Sequence, residues 1–201
     1  MNRPDFSQFV AHFTKASRPH TALDIVIKIL KEKRIVASTM PWTNKKAACF
    51  TECPFYSMLA HKKQYSAYGI GFKKEKVFAA RGGPAIYLRH SLHSAQNENF
   101  SLISDGTDTI RGFHKDVYAF VTPFHPSYAP PSSTRVCDYS HEREWRTPND
   151  FVFSIRNIVF IAVQSYADVE KIKSEVKISE DKILIFDVIE KIEELWPTHI
   201  I

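Results

Sequence analysis

Apolar positions along the chain follow helical spacing in some segments and strand-like alternation in others. In "ALDIVIKILKEK", Leu23, Val26 and Leu30 share one helical face, because residues three, four and seven apart lie on the same side of a helix. Thr21, with Asp24 three residues later, has the spacing of a capping box at a helix start. The pattern predicts an amphipathic helix that begins after Thr21 and buries one face.

Shorter apolar runs predict strands, and longer segments with apolar residues on one side predict further helices. Strands are expected in "FVAHFT" (9–14), "RIVAS" (34–38), "AACFTE" (47–52), "YGIGF" (68–72), "AIYLRH" (85–90), "VYAFVTPF" (117–124), "FVFSIRN" (151–157), "IVFIAV" (158–163) and "KILIFDV" (182–188). Further helices are expected in "FYSMLAHKKQYS" (55–66), "YADVEKIKSEVK" (166–177) and "IEKIEELW" (189–196). Because strands and helices are interspersed without a repeat, the pattern predicts an α+β fold.

Three segments have the composition of connections. Gly82-Gly83-Pro84 predicts a turn between two strands, and the Pro-rich stretch at 123–133 predicts a long loop. Residues 91–108 are polar and weakly periodic, so we interpret them as a helix or an ordered loop.

Length and charge narrow the class of protein. A chain of 201 residues, 44% of them hydrophobic, is long enough for one sizeable core, so we expect a single domain over 1–201. The formal net charge of +5 is a mild basic excess that attracts phosphate-bearing partners. A dinucleotide and an RNA fit this charge equally well.

Cysteine usage and hydropathy indicate the cytoplasm. The chain has three cysteines, and its N-terminus lacks the apolar run of a signal peptide, so we expect a reducing compartment and no disulfides. No stretch approaches the roughly eighteen apolar residues of a membrane-spanning helix. We therefore expect no membrane association.

The spacing of the cysteines does not favour a metal site. Cys49, Cys53, Cys137 and His141 offer the donor types of a zinc site. Structural zinc sites, however, favour paired short spacings on both sides, and only one cysteine lies in the second half of the chain. Buried, inert cysteines are the better interpretation, and we predict no metal. The nine histidines form no recognisable pairing.

The segment "RGGP" (81–84) offers a weak phosphate signal. Glycines beside a cation such as Arg81 allow backbone N–H groups to approach a phosphate. A plain turn beside an unrelated arginine is the favoured interpretation. Walker, dinucleotide-binding and nucleophile-elbow motifs are absent from the sequence.

The segment "DYSHEREWRTP" (138–148) carries the clearest candidate chemistry. If it is extended, Glu142 and Glu144 project to the same side, because strand side chains alternate. Two such carboxylates suit a reaction in which one stabilises an oxocarbenium-like sugar centre and the other positions a nucleophile. Arg143 and Arg146 would offset this charge or bind a phosphate-bearing substrate. The alternative is a charged strand edge with local ion pairs.

The order of these segments resembles that of the AbiGi-like abortive phage-infection proteins over most of the chain. The most specific matching parts are "CFTE", "YGIGF", "GGPAIY" and "HEREWR". That family is described as the antitoxin half of a pair, so the resemblance implies a cognate toxin as partner.

The chain also resembles, more distantly, the ADP-ribosyltransferase fold, including DarT-type toxins. His12-Phe13-Thr14 looks like the early strand of that fold that holds the nicotinamide ribose, and "IVIKILKEKRIVAS" looks like the helix that follows. Glu144 is similar in place to the catalytic glutamate, and Glu142-Arg143-Glu144 fits the E-x-E form. The helix departs from the family, since "EKRI" replaces the usual glycine turn. This resemblance implies a split β-sheet core with flanking helices.

The same resemblance implies a set of NAD-binding residues. His12, Phe13 and Thr14 would bind NAD as a substrate, together with Thr51 of the "CFTE" segment. Tyr65 and Tyr68 are the candidates for the aromatic that stacks on nicotinamide; Phe50 and Tyr56 stay open.

Three functions follow as hypotheses. The first is a phage-defence ADP-ribosyltransferase toxin that uses NAD, with Glu144 catalytic, Glu142 assisting, and a nucleic acid or a protein as acceptor. The second is a non-catalytic antitoxin or sensor that binds a protein or nucleotide partner. The third is a metal-independent nuclease built on His and Glu.

Overall fold

The computed structural model of the chain describes residues 6–52, 58–59, 62, 65–95, 109–110, 113–129 and 136–196. The chain divides into two compact units. The first unit is formed by Met1–Ile35, Phe50–Lys76 and Val152–Ile201, and the second by Val36–Cys49 and Val77–Phe151. Both units contain helix and strand, so the predicted α+β class is confirmed. That residues 1–201 behave as a single domain stays a prediction.

The strands are short, with two to six residues each. They are β1 (Phe9–Phe13), β2 (Arg34–Ile35), β3 (Ser38–Thr39), β4 (Lys46–Thr51), β5 (Gly69–Lys73), β6 (Gly83–Pro84), β7 (Ile86–Arg89), β8 (Thr109–Ile110), β9 (Phe113–His114), β10 (Val121–Phe124), β11 (Glu144–Thr147), β12 (Phe151–Val152), β13 (Ile158–Val163) and β14 (Ile183–Ile185).

The α-helices lie mainly in the first unit. They are α1 (Ala22–Glu32), α2 (Lys74–Ala79), α3 (Tyr166–Glu175) and α4 (Phe186–Leu195), and residues 90–95 are also helical. Short 3₁₀ helices occupy Lys115–Ala119, Ser140–Glu142, Ile155–Asn157 and Glu180–Lys182.

The first unit is organised around β5. This strand is antiparallel to β1 on one side and to β13 on the other, so that Ile70 lies opposite both His12 and Ile161. β14 adds to β13 in parallel, and Thr51 at the end of β4 pairs with Ala11 of β1. Because β5 is enclosed on both edges, its apolar residues form the centre of this unit's core.

Helix α1 begins and packs as the sequence predicts. The Thr21 hydroxyl accepts the Asp24 N–H at 3.1 Å, and the Asp24 carboxylate accepts the Thr21 N–H at 2.9 Å, which completes the capping box. The apolar stripe that includes Leu23, Val26 and Leu30 is buried. The helix ends where Lys33 adopts the left-handed conformation.

The second unit contains the strand order β3-β4-β11-β6, with β11 antiparallel to β6. A separate parallel pair joins β7 to β10. The segment that contains β6 and β7 changes its hydrogen-bonding partner between two consecutive residues. The Ala85 N–H donates to Glu144 O of β11 at 2.7 Å, whereas the Ile86 N–H donates to Phe120 O, just before β10, at 2.8 Å. This crossover brings β10 beside β11.

The predicted turn at Gly82-Gly83-Pro84 is wrong in place. Gly83 and Pro84 form β6, and the chain reverses earlier, at Ala80 and Arg81, where Arg81 has φ 64°. Helix α2 was not predicted, because "KKEKVFA" contains too few apolar residues to show a helical period. It is anchored by Val77, which is fully buried.

Several predicted strands are shorter than expected, because local turns replace their ends. "VYAFVTPF" is a strand only from Val121, after a 3₁₀ helix. "FVFSIRN" keeps only β12, and a capping box between Ser154 and Asn157 starts a 3₁₀ helix. "RIVAS" divides into β2 and β3, and "KILIFDV" gives way to α4 at Phe186.

Some predictions concern residues only partly described. Of the helix predicted at 55–66, Met58, Leu59 and Lys62 are helical and most other residues lie outside the described part. In 91–108 the described residues 91–95 are helical, and 96–108 lie outside the described part; so do 130–133 of the predicted loop. Across the described ranges, no helix is both long and apolar enough to cross a bilayer.

Gly71 in β5 allows a close approach between strands. A Cβ at this position would overlap the ring of Phe160, whereas a Cβ at Gly83 would lie 3.8 Å from the Phe120 ring, an ordinary contact. Gly71→Ala should therefore lower the free energy of unfolding by about 1–3 kcal/mol through overpacking, and Gly83→Ala should stay within about 0.5 kcal/mol. Urea denaturation of both variants tests this. Equal effects would contradict it, as would a failure of Phe160→Leu to relieve Gly71→Ala.

Candidate functional site

The "HEREWR" segment is not extended throughout. Ser140–Glu142 form a 3₁₀ turn, Arg143 has φ 45°, and β11 begins only at Glu144. The Asp138 carboxylate nucleates this turn by accepting the Ser140 N–H at 3.0 Å and its hydroxyl. The prediction that Glu142 and Glu144 share one side of a strand is therefore wrong, because Glu142 precedes the strand.

The two carboxylates nevertheless lie close to one phenol, that of Tyr87. The Tyr87 hydroxyl accepts the Glu144 N–H at 3.4 Å and donates to Tyr139 O at 2.9 Å. Burial raises the pKa of Tyr87, and the negative charges of Glu144 and Glu142 raise it further. The phenol therefore stays protonated and acts as a neutral hydrogen-bonding group between the backbone at Glu144 and the backbone at Tyr139.

Arg146 is the fully buried cation of this site. Its Nη2 lies 2.6 Å from Glu144 Oε2 and also donates to the Thr122 hydroxyl. Its Nη1 donates to Ala119 O at 3.2 Å and to Val121 O at 3.1 Å. Residues two apart on a strand face the same side, so β11 places Glu144 and Arg146 together.

Burial alone would lower the pKa of Arg146, but the hydrogen bond and charge of Glu144 outweigh it and hold this pKa above its ordinary value. The guanidinium therefore keeps its charge although it is buried. Trp42 contributes an aromatic face 5.5 Å from the guanidinium, and its indole N–H donates to Val121 O at 2.6 Å.

Cys49 lies next to the Glu144–Arg146 pair, and its thiol is unreactive. Burial raises the pKa of its thiol far above the ordinary range, and the charge of Glu144 adds to the effect. A thiol held protonated is a poor nucleophile and a poor metal ligand. Cys49 and Cys137 are not in a disulfide, and Cys53 lies outside the described residues. Nowhere in the described part of the chain do three or more His, Cys, Asp or Glu side chains cluster as a metal site.

The remaining cations differ in exposure. Arg143 is exposed, whereas Arg146 has no exposed surface. Arg81, which precedes the glycines of the "RGGP" segment, forms an ion pair with Asp116 at 2.8 Å. The predicted substrate-binding roles of Arg143 and Arg146 stay predictions.

The residues predicted to bind NAD lie in the first unit. His12, Phe13 and Thr14 occupy the end of β1 and the position after it, and Phe13 pairs with Gly69. The buried Thr14 hydroxyl lies 3.0 Å from Ala22 O and 3.3 Å from Tyr68 O, so it joins β1 to α1 and β5.

The aromatic candidates near β1 also have internal contacts. The Tyr68 hydroxyl donates to Asp168 at 3.3 Å, and burial, followed by the charges of Asp168 and Asp187, raises the pKa of Tyr68 to about 12. Lys15 Nζ lies 4.3 Å from the Tyr65 ring centroid.

Three further residues complete the predicted set. Thr51 is buried at the end of β4, and the preceding Phe50 meets the His12 ring edge-on, with centroids 6.1 Å apart. Tyr56 lies outside the described residues. The first unit thus brings most of the predicted NAD-binding residues together, but their role stays a prediction.

Two features of these sites were missed from the sequence. The Tyr87 hydroxyl binds the backbone of Glu144 and of Tyr139, and its only sequence signal was an aromatic in a predicted strand. In the first unit, Glu52 and Lys74 form a largely buried ion pair at 2.7 Å, and Glu52 also accepts the Ser7 N–H at 3.1 Å. The sequence signal for this ion pair was a glutamate at the end of the mostly apolar "AACFTE" run.

The Glu144–Arg146 pair should dominate the stability of the second unit. Glu144→Leu leaves a buried charge uncompensated and should lower the free energy of unfolding by about 3–5 kcal/mol. Glu144→Gln also removes the counter-charge but retains a neutral acceptor for the Arg146 Nη2, so it should cost less than Glu144→Leu. The matched control is Glu180→Leu, which removes an exposed pair with Lys173 and should cost less than about 1 kcal/mol.

Urea denaturation of the three variants measures these differences. A Glu144→Leu/Arg146→Met double variant should recover part of the loss, because it removes the unpaired charge. Similar stabilities for Glu144→Leu and Glu180→Leu would contradict the assignment.

The Tyr68 phenol should make stability sensitive to alkaline pH. Its folded pKa of about 12 exceeds the value of about 10 expected when unfolded. The folded state therefore binds this proton more tightly, and the resulting stabilisation is complete below about pH 10 and lost as pH rises through about 12. Tyr68→Phe should flatten the loss of stability over that window, whereas Tyr166→Phe, on an exposed tyrosine, should not. Parallel urea midpoints for wild type and Tyr68→Phe from pH 9 to 12 would contradict this.

Comparison with known proteins identifies a family. A family model described as "Putative abortive phage resistance protein AbiGi, antitoxin" matches residues 24–185. No curated protein and no solved structure matches the chain. The resemblance to ADP-ribosyltransferases, including their split-sheet fold, accordingly stays a prediction. The matched range covers most of the chain, from α1 to β14, and the chain therefore belongs to the AbiGi family of abortive phage resistance proteins.

Proposed function

We propose that this chain is the antitoxin of an abortive-infection toxin–antitoxin pair and acts by binding its cognate toxin rather than by catalysis. The family description as an antitoxin supports this role. The structural observation that carries the proposal is the buried ion pair of Glu144 with Arg146, because it already uses the carboxylate that the sequence offers for catalysis.

The position of Glu144 limits the electric field that its carboxylate can exert on a substrate. A catalytic carboxylate accelerates glycosyl transfer by stabilising positive charge as it develops on the sugar. Here Glu144 Oε2 is 2.6 Å from a guanidinium, and only 12% of the Glu144 side chain is exposed. The fixed positive charge of Arg146 opposes the field of Glu144 at any nearby cationic centre.

Arg146 also needs Glu144 for its own burial. A guanidinium with no exposed surface is strongly destabilising without a counter-ion. Releasing Glu144 toward a substrate would leave this charge uncompensated. The Glu144–Arg146 ion pair is therefore better suited to stabilising the fold than to catalysis.

An NAD-dependent ADP-ribosyltransferase toxin is the second proposal. Its support is the influence of the Glu144 and Glu142 charges on the pKa of Tyr87, together with the placement of His12 and Phe13 at the end of β1 and of Thr14 directly after it. In this proposal NAD is the substrate and the acceptor is a nucleic acid or a protein.

Expression in cells separates the two proposals. The chain alone should leave growth unchanged, and co-expression with the cognate toxin should restore colony formation to the level of an empty vector. Glu142→Gln, which removes one candidate catalytic carboxylate, should rescue as well as the wild type whenever it accumulates to the same level. Growth arrest by the chain alone, or failure to rescue, would overturn the antitoxin proposal.

A biochemical assay provides the complementary readout. Purified chain incubated with labelled NAD and total cell extract should label no macromolecule. Label transfer that is lost in Glu144→Gln at equal folded protein would establish the enzyme instead.

A further inference from the structure

Helix α4 (Phe186–Leu195) carries more apolar surface than its own unit covers. Phe186 and Ile189 are buried in a cluster with Met58, Ala67 and Ala162. On another side, four apolar side chains remain exposed; we call them the α4 stripe, and they are Val188 (39% exposed), Ile192 (45%), Leu195 (56%) and Trp196 (68%).

The spacing of the α4 stripe distinguishes it from scattered surface residues. Single exposed apolar residues are common and need no explanation. Val188, Ile192 and Leu195, however, follow one another at i, i+4 and i+7, which aligns them along one side of the helix, and Trp196 follows directly at the end of the helix. Helix α3, of the same length, shows the ordinary pattern, since it buries Val169 and Ile172 and its exposed side is mainly Lys, Glu and Ser.

The charge around the α4 stripe is opposite to that of the chain. The helix contains four carboxylates and one ammonium, whereas the whole chain has a net charge of +5. The carbonyl end of the helix dipole adds negative potential near Leu195. This favours a partner segment with positive charge, and it disfavours a second copy of α4, which would bring two acidic helices together.

The helix is held in place from its other side. Asp187 N–H donates to Gln164 O at 3.0 Å, and the Gln164 side chain also donates to the Asp187 carboxylate. Lys62 pairs with Glu190, and its ammonium lies 5.6 Å from the Phe186 ring centroid. The α4 stripe is therefore presented on a fixed helix, which reduces the entropy lost on binding.

We propose that the α4 stripe is the docking surface for an amphipathic helix of the cognate toxin, with an apolar face flanked by lysine or arginine. Helix-against-helix docking uses apolar anchors at the spacing found here. The inference rests on the proposed function, because it names the surface through which the antitoxin binds its toxin.

The direct test measures binding to the purified toxin whose arrest this chain relieves. An Ile192→Gln/Leu195→Gln variant should weaken binding at least about tenfold, the equivalent of about 1.4 kcal/mol. Glutamine suits a helix at least as well as isoleucine, so the thermal midpoint should not fall. The control is Val152→Gln in β12, which removes an apolar side chain that is 63% exposed and should change affinity less than about twofold.

Charge complementarity is tested with two synthetic helical peptides, one with a leucine face flanked by lysine and the other with the same face flanked by glutamate. The lysine peptide should bind and shift the fluorescence of Trp196 to shorter wavelength, and Trp196→Phe should remove this signal. Equal binding of the two peptides would overturn the basic-partner assignment.

The outcomes separate this inference from the proposed function. A wild-type chain that neither binds nor neutralises the toxin overturns the antitoxin role itself. Full toxin binding by the Ile192→Gln/Leu195→Gln variant overturns only the α4 stripe. A wild-type dimer that this variant converts to a monomer in sedimentation would make a second copy the occupant and would also overturn the inference.

Discussion

The burial of Arg146 is the constraint on which the second unit depends. A guanidinium without solvent must find acceptors for its donors and a counter-ion for its charge. Ala119 O, Val121 O and Thr122 supply acceptors for the two Nη atoms from the β10 region, and Glu144 supplies the charge from β11, whereas the buried Nε has no hydrogen-bond partner among the described residues. These contacts are possible because the hydrogen-bonding partner changes from β11 to the β10 region between residues 85 and 86, which brings β10 and β11 side by side. The hydrogen bonds of Arg146 therefore link β11 to the β10 region.

The same constraint explains the chemistry of the surrounding groups. Tyr87 and Cys49 both lie close to the Glu144 charge, which raises the pKa of each beyond the effect of burial. Neither the phenol nor the thiol ionises near neutral pH. The second unit thus gathers a carboxylate, a phenol, a thiol and a guanidinium, yet it holds the phenol and thiol neutral and pairs the two charges with each other.

Sequence patterns predicted the elements whose cause is local. Helix α1 was predictable because its capping box and apolar stripe are contained within a dozen residues, and β5 because "YGIGF" is buried on both sides. The course of residues 138–147 was not, because the Asp138 side chain starts a turn in what reads as an extended charged segment. The burial of Arg146 was also hidden, since its acceptors come from residues more than twenty positions away.

The NAD-type signature near the N-terminus illustrates how a motif can serve the fold. The Thr14 hydroxyl joins β1 to the start of α1, and the Tyr68 phenol reaches Asp168, whose carboxylate caps α3 by accepting the Ser165 N–H. These contacts alone would favour a threonine and a tyrosine at those positions. A match to a catalytic pattern is therefore compatible with a purely structural use of the same residues.

Catalysis and partner binding make opposite demands on a surface. Catalysis by a carboxylate requires charge that is available to a substrate, and docking of another protein requires apolar area that the fold leaves uncovered. In the second unit, the charge of Glu144 is neutralised by Arg146 and largely enclosed. In the first unit, Val188, Ile192 and Leu195 remain exposed on a helix anchored by its other side. The proposed antitoxin role rests on this difference, because a carboxylate paired with a guanidinium has little free charge to act on a substrate, whereas exposed apolar side chains on an anchored helix can bind a partner.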